Sequence, residues 1–280
     1  MSCSDIYVYD CIKHSSALCY NRRIMHVIAD LQLHSRFSRA VSKQMTIPFI
    51  ASWAKRKGIG LVATGDWTHP MWYREIQSSL DEIGNGLLKL KNSSSGDPLF
   101  LLVTEVSCIY TQNGKGRRVH TLIWVPSMAS AAKINQEMTK RGCNLLSDGR
   151  PIIGLTSMQV AELVFTIEPR ALIIPAHAWT PWFALFGSMS GFDSLQEAFG
   201  PYADKIYAVE TGLSSNPAMN WRIKELDTRS IVSFSDAHSG PKLGREATVF
   251  ELSELSYESI YNAIKQVGPS KIAHTIEFYP

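Results

Sequence analysis

Short hydrophobic runs recur along the chain, each bounded by Gly, Pro or Ser. Between several of them, hydrophobic residues stand three and four positions apart, which is the period of a helix. Runs of this length are typical of buried parallel strands, so the pattern predicts an alternating β/α chain. The predicted helices span residues 46–57, 128–141, 157–167 and 256–267, and residues 91–97 form a polar loop.

The predicted strands end in side chains that bind metals. Asp30 lies inside the first run, and the residues that end the runs are His34, Asp66, Glu105, His120, His177, Asp236 and His238. In a closed β/α barrel the carboxyl ends of the strands meet at one face, so these side chains are expected to converge. Imidazole and carboxylate together suit zinc or manganese. The pattern predicts one polynuclear metal site, and the alternative is that each is an ordinary residue at a strand end.

Composition sets limits on size and location. The chain has 280 residues, 45% of them hydrophobic, which is enough for one barrel domain. Its net charge of +3 permits a phosphate-bearing substrate without identifying one. Five irregularly spaced cysteines favour a reducing compartment, and we find neither a long apolar run nor a signal peptide. We therefore expect a soluble cytoplasmic protein with no membrane partner.

Two regions depart from the β/α rhythm. Residues 1–24 have no periodicity, so we predict an N-terminal extension outside a barrel that spans residues 25–280. Residues 179–194 are rich in aromatic residues, Gly and Ser and begin two positions after His177. Loops at the ligand end of barrel strands usually hold substrate. The alternative for this loop is a hydrophobic patch that covers the barrel or meets a partner.

Longer motifs carry a resemblance to a known family. The run from Asp30 to Ser35, together with Glu105, His120, His177 and the segment 235–238, resembles the PHP (polymerase and histidinol phosphatase) superfamily of metal-dependent phosphoesterases. Within it, the catalytic domain of the endonuclease Q family is similar over about residues 26–280. The strings that carry this similarity are T-G-D-W-T-H-P (64–70), T-E-V-S-C-I-Y (104–110), P-A-H-A-W-T-P-W-F (175–183), E-T-G-L-S-S-N-P-A-M-N-W-R (210–222) and S-D-A-H-S-G-P-K-L-G-R-E-A (235–247).

The resemblance implies a fold, a reaction and a ligand set. The fold is a distorted (β/α)7 TIM-like barrel, and the reaction is metal-dependent hydrolysis of DNA on the 5′ side of deaminated bases such as uracil and hypoxanthine. The implied metals are zinc, manganese or both, with magnesium as a further alternative. Glu105, Asp236 and His238 would be catalytic, with Glu105 bridging the ions. The implied ligands are Gln32, His34, Asp66, His69, Glu105, His120, His177, Asp236 and His238. We favour Asp66 over His69, which is a ligand or a substrate contact.

Basic and aromatic residues near these motifs are candidate contacts to DNA. We assign phosphate contacts to Arg36, Lys242 and Arg245, with Arg150 and Arg222 as further candidates, against the alternative of solvated surface charges. Trp179, Trp182 and Phe183 are candidates for stacking on a base extruded from the duplex, and core packing is the alternative.

Two departures from the family bear on activity. Gln32 stands where the family has the first histidine of His-x-His, and an amide binds zinc or manganese more weakly than imidazole. The resemblance also stops near residue 280, where the family continues into a zinc-binding segment and a helical region. Gln32 favours the alternative of a degenerate barrel that binds nucleic acid without catalysis. A second alternative is a PHP phosphatase that acts on a small phosphate ester, which the aromatic loop at 179–186 makes less favoured, since an open stacking surface suits a polymer.

Overall fold

The protein is a mixed α/β chain, and the computed structural model describes residues 24–278. The predicted extension therefore lies outside the described residues except for Ile24. The strands are β1 (Met25–Asp30), β2 (Leu61–Ala63), β3 (Leu80–Glu82), β4 (Leu88–Leu90), β5 (Leu99–Gln112), β6 (Lys115–Val125), β7 (Leu172–Pro175), β8 (Ala208–Glu210), β9 (Ser230–Val232), β10 (Ala247–Leu252) and β11 (Lys271–Ile276). The helices are α1 (Ile47–Arg56), α2 (Pro70–Ser79), α3 (Met128–Lys140), α4 (Ser157–Ile167), α5 (Leu195–Phe199), α6 (Pro217–Asn220) and α7 (Tyr257–Lys265). Short 3₁₀ segments cover Gly200–Lys205, Lys224–Thr228 and Gly240–Lys242.

The four predicted helices are confirmed as α1, α3, α4 and α7. Their starts follow ordinary capping rules: Thr156 and Gln159 form a reciprocal capping box at α4, and Ser256 caps α7 through the Ser259 amide. Thr46 is the N-cap of α1, although its side chain makes no capping hydrogen bond. The loops predicted at residues 91–97 and 179–194 contain no helix or strand.

The strand pairing confirms only part of the predicted parallel sheet. β1, β2 and β5 are parallel neighbours, as the hydrophobic runs indicate. β10 pairs antiparallel with β1, and β11 continues the sheet beyond it. β6 pairs antiparallel with β5 on one side and with β7 on the other, so the prediction of parallel neighbours is wrong for this part of the chain.

A tight turn explains the antiparallel β5–β6 pair. Asn113 and Gly114 both have positive φ, of 52° and 73°. Asn-Gly with two such angles is the preferred two-residue connection of a β-hairpin, because its twist matches that of the strands. The hairpin is long, with Gln112 opposite Lys115 at the turn and Leu102 opposite Val125 at the far end. Glu105 and His120 therefore lie within strands rather than at their carboxyl ends.

A closed barrel is not observed in the described part of the chain. β8 and β9 are parallel strands of three residues each, and they form a separate two-stranded sheet beside the nine-stranded one. Backbone hydrogen bonds link the two sheets at single points, from Ala178 N to Glu210 O at 2.9 Å and from His34 N to Ala237 O at 3.0 Å. The described residues therefore show a mixed α/β fold with a central sheet, and the finer prediction of a distorted (β/α)7 barrel stays a prediction.

A continuous hydrophobic core lies beneath the sheet and helices. Its largest fully buried side chains include Trp67, Trp72, Phe100, Trp124, Phe199, Phe234 and Phe250. Burial of large aromatic side chains is a major favourable contribution to folding. Between residues 24 and 278, no helix combines the length and hydropathy that a membrane span requires.

Candidate metal centre

Six predicted ligands meet in two adjacent groups. One group is His34, Asp236 and His238, and the other is Glu105, His120 and His177; in each, the candidate ligand atoms lie within 4.8 Å of one another. These residues come from four regions of the chain: His34 after β1, Glu105 and His120 on the β5–β6 hairpin, His177 after β7, and Asp236 with His238 after β9. Each group contains two imidazoles and one carboxylate, which is a donor set suited to a divalent transition metal.

Glu105 joins the two groups. Its Oε1 lies 2.7 Å from His120 Nδ1 and 3.6 Å from His177 Nε2. Its Oε2 lies 3.2 Å from His34 Nε2 in the other group. One carboxylate thus contacts imidazoles on both sides, the geometry that a bridging ligand requires.

The β5–β6 hairpin brings Glu105 and His120 together. Ser107 pairs directly with His120 across the hairpin. Side chains two positions apart on a strand share a face, so Glu105 lies on the same face as Ser107 and diagonally across from His120. Backbone pairing, rather than loop geometry, therefore fixes this half of the centre.

Asp66 orients His34 rather than joining either group. Its Oδ1 lies 2.9 Å from His34 Nδ1. Its Oδ2 accepts hydrogen bonds from the Ser35 amide at 2.6 Å and the Ser38 hydroxyl at 2.9 Å. A carboxylate on one ring nitrogen fixes the imidazole orientation and leaves Nε2 to face Glu105 and Asp236.

Three of the predicted metal ligands have left-handed backbone conformations. The φ angles are 44° at Asp66, 32° at His177 and 45° at Asp236. For residues with a side chain these angles are uncommon, and each costs about 1–3 kcal/mol. Such strain persists only where surrounding contacts hold it, and it is frequent in binding and catalytic sites.

Glu210, at the end of β8, holds the strained His177 segment. Its Oε2 accepts a hydrogen bond from His177 N at 2.7 Å, and its backbone oxygen accepts one from Ala178 N at 2.9 Å. Gly212 packs so closely that a Cβ at this position would overlap His177 Cα and Cβ. His177 is thus confined on two sides by the segment that follows β8.

We expect Gly212→Ala to lower the free energy of unfolding by about 2 kcal/mol more than Gly268→Ala, because only the first creates a clash. Gly268 is a matched control: its φ is +75°, against +57° for Gly212, but a Cβ there meets nothing within 4 Å. Urea unfolding of both variants gives the difference. If both variants lost the same free energy of unfolding, the backbone around Gly212 would be able to accommodate a Cβ without a clash with His177.

The histidines of the two groups differ in their ionisation. Burial alone would lower the pKa of His34, but Asp66, Asp236 and Glu105 outweigh it and raise that pKa well above its usual value. Burial lowers the pKa of His120 to about 4, against the opposing effect of Glu105. His120 is therefore neutral near pH 7 and ready to bind a metal, whereas His34 must release a proton to do so.

Arg150 supplies positive charge inside the centre. Its Nη1 lies 3.3 Å from Glu105 Oε1 and 3.3 Å from His34 Nε2. Burial would raise the pKa of Glu105, but Arg150 and then His120 outweigh it and hold that pKa well below its usual range. Gly149 packs against Ser38 and Asp66, so the loop can bring Arg150 this close.

Two other predicted ligands occupy different positions. Gln32 lies in the centre and donates from Nε2 to Glu105 Oε2 at 2.8 Å, while its Oε1 is buried and accepts no hydrogen bond from residues 24–278. His69 lies outside both groups: it is the N-cap of α2, where its Nδ1 accepts from Trp72 N at 3.4 Å, and its ring stacks on Phe37 at 4.5 Å. Pro70 at the first helical position accounts for this capping role.

The predicted phosphate contacts vary in their availability. Arg36 is ion-paired with Glu75 at 2.7 Å, and Arg245 donates from Nε to the Ser235 carbonyl at 2.7 Å beside Asp236. Lys242 and Arg222 are exposed. Asp30 accepts hydrogen bonds from the amides of Ser235 at 3.0 Å and Gly244 at 2.8 Å, and so connects β1 to this segment.

The predicted stacking residues also differ. Trp179 packs on Phe186 with ring centroids 4.9 Å apart and donates to Asn220 Oδ1 at 2.8 Å. The Phe183 ring lies 4.8 Å from the His120 ring. Trp182 is 43% exposed, so a large part of its indole ring faces solvent.

Two features of the centre were absent from the predicted set of ligands. Glu210 ends β8 in the same way that Glu105 and His177 follow hydrophobic runs, so Val209-Glu210 carried a usable signal. Its Oε1 is buried without a hydrogen-bond partner in the described residues, and burial raises its pKa well above the usual value. Arg150 was predicted only as a phosphate contact, and nothing in its loop sequence predicts contact with Glu105.

Solved structures of known proteins share this fold. The lesion-specific endonuclease Q of Pyrococcus furiosus is 36% identical, with a TM-score of 0.78 over 90% of this chain and 58% of that one. Endonuclease Q in complex with a 27-mer duplex that carries an abasic lesion at the active site is 37% identical, with a TM-score of 0.79 over 90% of this chain and 59% of that one. A two-domain Bacteroides vulgatus protein with a PHP-like phosphoesterase unit is 13% identical, with a TM-score of 0.50 over 86% of this chain and 63% of that one; it shows the fold alone.

Other comparisons set the extent of these similarities. No family model matches the chain. The chain spans less than two thirds of the length of the curated relatives it matches, at 16% and 64%. The two endonuclease Q structures confirm the predicted resemblance to endonuclease Q.

Proposed function

Because this chain is similar to endonuclease Q over 90% of its length, we propose that it is a PHP-superfamily protein and a metal-dependent phosphodiesterase that incises DNA. The observation that carries this proposal is the position of Glu105 between two groups of histidines. The preferred substrate is DNA with a deaminated base, uracil or hypoxanthine, and the cut falls on its 5′ side. The lesion preference rests on the family resemblance, whereas the hydrolytic chemistry rests on the centre itself.

The donor set supports binding of two divalent ions, zinc or manganese. Asp236 Oδ1 is buried and accepts no hydrogen bond from residues 24–278, and it lies 3.2 Å from His34 Nε2. A buried carboxylate oxygen without a hydrogen-bond partner destabilises the fold unless a cation or a proton lies between it and the neighbouring imidazole. His34, Asp236 and His238 would hold one ion, and Glu105, His120 and His177 the other. Such ions lower the pKa of water and neutralise charge on a phosphodiester.

The residues of the chain would orient and neutralise the substrate. Arg150 lies beside Glu105 and His34, so its guanidinium is close enough to the centre to contact a phosphate oxygen. Asp66 holds the His34 ring in place, and Glu210 holds the His177 backbone. Arg245 positions the carbonyl groups of Ser235 and Asp236, which makes it a positioning residue as well as a candidate phosphate contact.

DNA is the proposed partner. The duplex complex of endonuclease Q supports this assignment by similarity. Exposed Lys242 and Arg222 and the half-exposed ring of Trp182 give this chain side chains that contact phosphates and bases.

One observation favours a second function, a nucleic-acid-binding protein without catalysis. Gln32 and Arg150 both donate hydrogen bonds to the Glu105 carboxylate. These two side chains would compete with a metal ion for the carboxylate oxygens. If these contacts keep metal out, DNA binding would persist and cleavage would not occur.

The test is incision of an end-labelled oligonucleotide that carries one deoxyuridine or one deoxyinosine, with Mn²⁺, Zn²⁺ or Mg²⁺ supplied in turn. We expect one metal-dependent cut on the 5′ side of the lesion and none in the undamaged control. Release of phosphate from small esters without DNA cleavage would select the phosphatase alternative. If the protein binds the oligonucleotide but does not cut it with any of the three metals, the nucleic-acid-binding function without catalysis is the correct one.

A further inference from the structure

Arg118 connects the metal centre to the exposed ring of Trp182. It lies two residues before His120 on β6, and side chains two positions apart on a strand lie on the same face. Its guanidinium carbon is 5.0 Å from the Trp182 ring centroid and 5.7 Å from that of Phe183. Phe183 in turn lies against the His120 ring at 4.8 Å. A continuous set of stacked groups thus leads from a candidate metal ligand to solvent.

The loop that carries Trp182 is fixed to β6 by its backbone. His120 N donates to Phe183 O at 2.9 Å, and Arg118 N donates to Ser190 O at 3.1 Å. The Ser190 hydroxyl returns a hydrogen bond to Arg118 O at 3.3 Å and accepts one from Phe183 N at 3.3 Å. The backbone that carries Phe183 and Ser190 is therefore held against β6 before any substrate binds, which reduces the ordering that binding requires.

Arg118 has an unused charge. Its side chain is exposed, and within residues 24–278 no carboxylate lies within ion-pairing distance of it. The neighbouring Arg117 contrasts with it: Arg117 is buried, paired with Glu197 at 2.6 Å and stacked on Phe192. The Arg118 guanidinium lies over the Trp182 ring, and because the residue is exposed, a substrate phosphate can reach it from solvent.

We infer that Arg118 and Trp182 form a nucleotide platform, which binds the substrate strand next to the phosphodiester at the metal centre. This inference rests on the proposed function. A guanidinium donates two parallel hydrogen bonds to a phosphate and stacks on an aromatic ring at the same time, which an ammonium does not. The other face of the indole is available to a base, and stacking of this kind accepts any base. The platform would hold the strand without reading the lesion.

The test measures binding of a fluorescent oligonucleotide that contains one deoxyuridine, by anisotropy in EDTA, between about 50 and 200 mM salt. We expect Arg118→Ala to weaken binding about tenfold and to reduce the slope of log affinity against log salt by about one. Arg118→Lys should keep the slope and lose part of the affinity, because the ammonium does not stack flat. Trp182→Ala should weaken binding with little change in slope.

Arg170→Ala is the control for the loss of one surface arginine over an aromatic ring, and Arg170 differs from Arg118 in that it forms an ion pair with Glu258. Arg170 also lies over an aromatic ring, with its guanidinium carbon 5.4 Å from the Tyr261 centroid, but it precedes β7, at the opposite end of that strand from His177. Binding by Arg118→Ala equal to that of Arg170→Ala would overturn the platform. If the unmodified chain binds DNA in EDTA and loses affinity on Arg118→Ala, but does not cut DNA in the incision assay with Mn²⁺, Zn²⁺ or Mg²⁺, the platform stands and the nuclease proposal fails. If the unmodified chain binds no oligonucleotide in EDTA but cuts DNA in the incision assay, the platform fails and the nuclease proposal stands. If it neither binds nor cuts, both fail.

Discussion

Glu105→Gln is expected to lower DNA incision by about a thousandfold and to reduce the bound metal per chain. Glu105 contacts His120 at 2.7 Å, His34 at 3.2 Å and Arg150 at 3.3 Å. An amide of the same size removes the negative charge that faces these groups, and it is a much weaker metal ligand. Incision rates and elemental analysis of the purified chain measure the two effects separately.

The control for this variant is Glu251→Gln, which makes the same chemical change on β10 at a surface ion pair with Lys271. It should leave both rate and metal content unchanged. Removal of one member of a buried ion pair is strongly destabilising, by about 3–5 kcal/mol, so thermal unfolding of Glu105→Gln must accompany the assay. A folded Glu105→Gln chain that keeps full metal and rate would show that Glu105 does not bridge the centre.

Gln32→His is expected to raise the affinity for metal by about a hundredfold and to increase incision. Gln32 already lies in the centre, with Nε2 on Glu105 at 2.8 Å and Oε1 buried without a hydrogen bond. An imidazole of similar volume replaces a weak amide ligand by a strong one and removes a hydrogen bond that competes for Glu105. Elemental analysis after purification without chelator gives the number of ions per chain.

An additional histidine can bind metal at the surface, so Gln77→His on the exposed side of α2 is the control. It should bind no more metal than the unmodified chain. If Gln32→His behaves like Gln77→His, position 32 does not bind metal. Near-zero metal in the unmodified chain that recovers in Gln32→His would favour the binding protein over the nuclease.

Several candidate metal ligands could be predicted because they follow hydrophobic strands directly in the sequence. His34, His177 and Asp236 each follow a short hydrophobic strand, and such hydrophobic runs are visible in the sequence. Helix limits were equally accessible, since capping residues such as Thr156 and Ser256 stand before the periodic segments. These features depend on neighbours along the chain, which a sequence displays directly.

Features that depend on distant contacts were not predictable in the same way. The antiparallel β5–β6 pair was missed although Asn113-Gly114 indicated it, because the strand runs were assigned to one parallel pattern. The stacking of Arg118 on Trp182 and the contact of Arg150 with Glu105 join residues far apart in sequence. Neither loop has a periodicity from which such a contact follows.

The two halves of the centre differ in how the chain assembles them. Glu105 and His120 belong to one hairpin, so their contact closes a short loop and requires little loss of chain entropy. His34 and Asp236 meet only when the first strand joins the segment near residue 235. The hydrogen bond from Ser235 N to Asp30 holds these two segments together, and its partners are 205 residues apart in sequence. Local separation of β1 from the segment that follows β9 would therefore disrupt the group of His34, Asp236 and His238 and leave the contact of Glu105 with His120 intact.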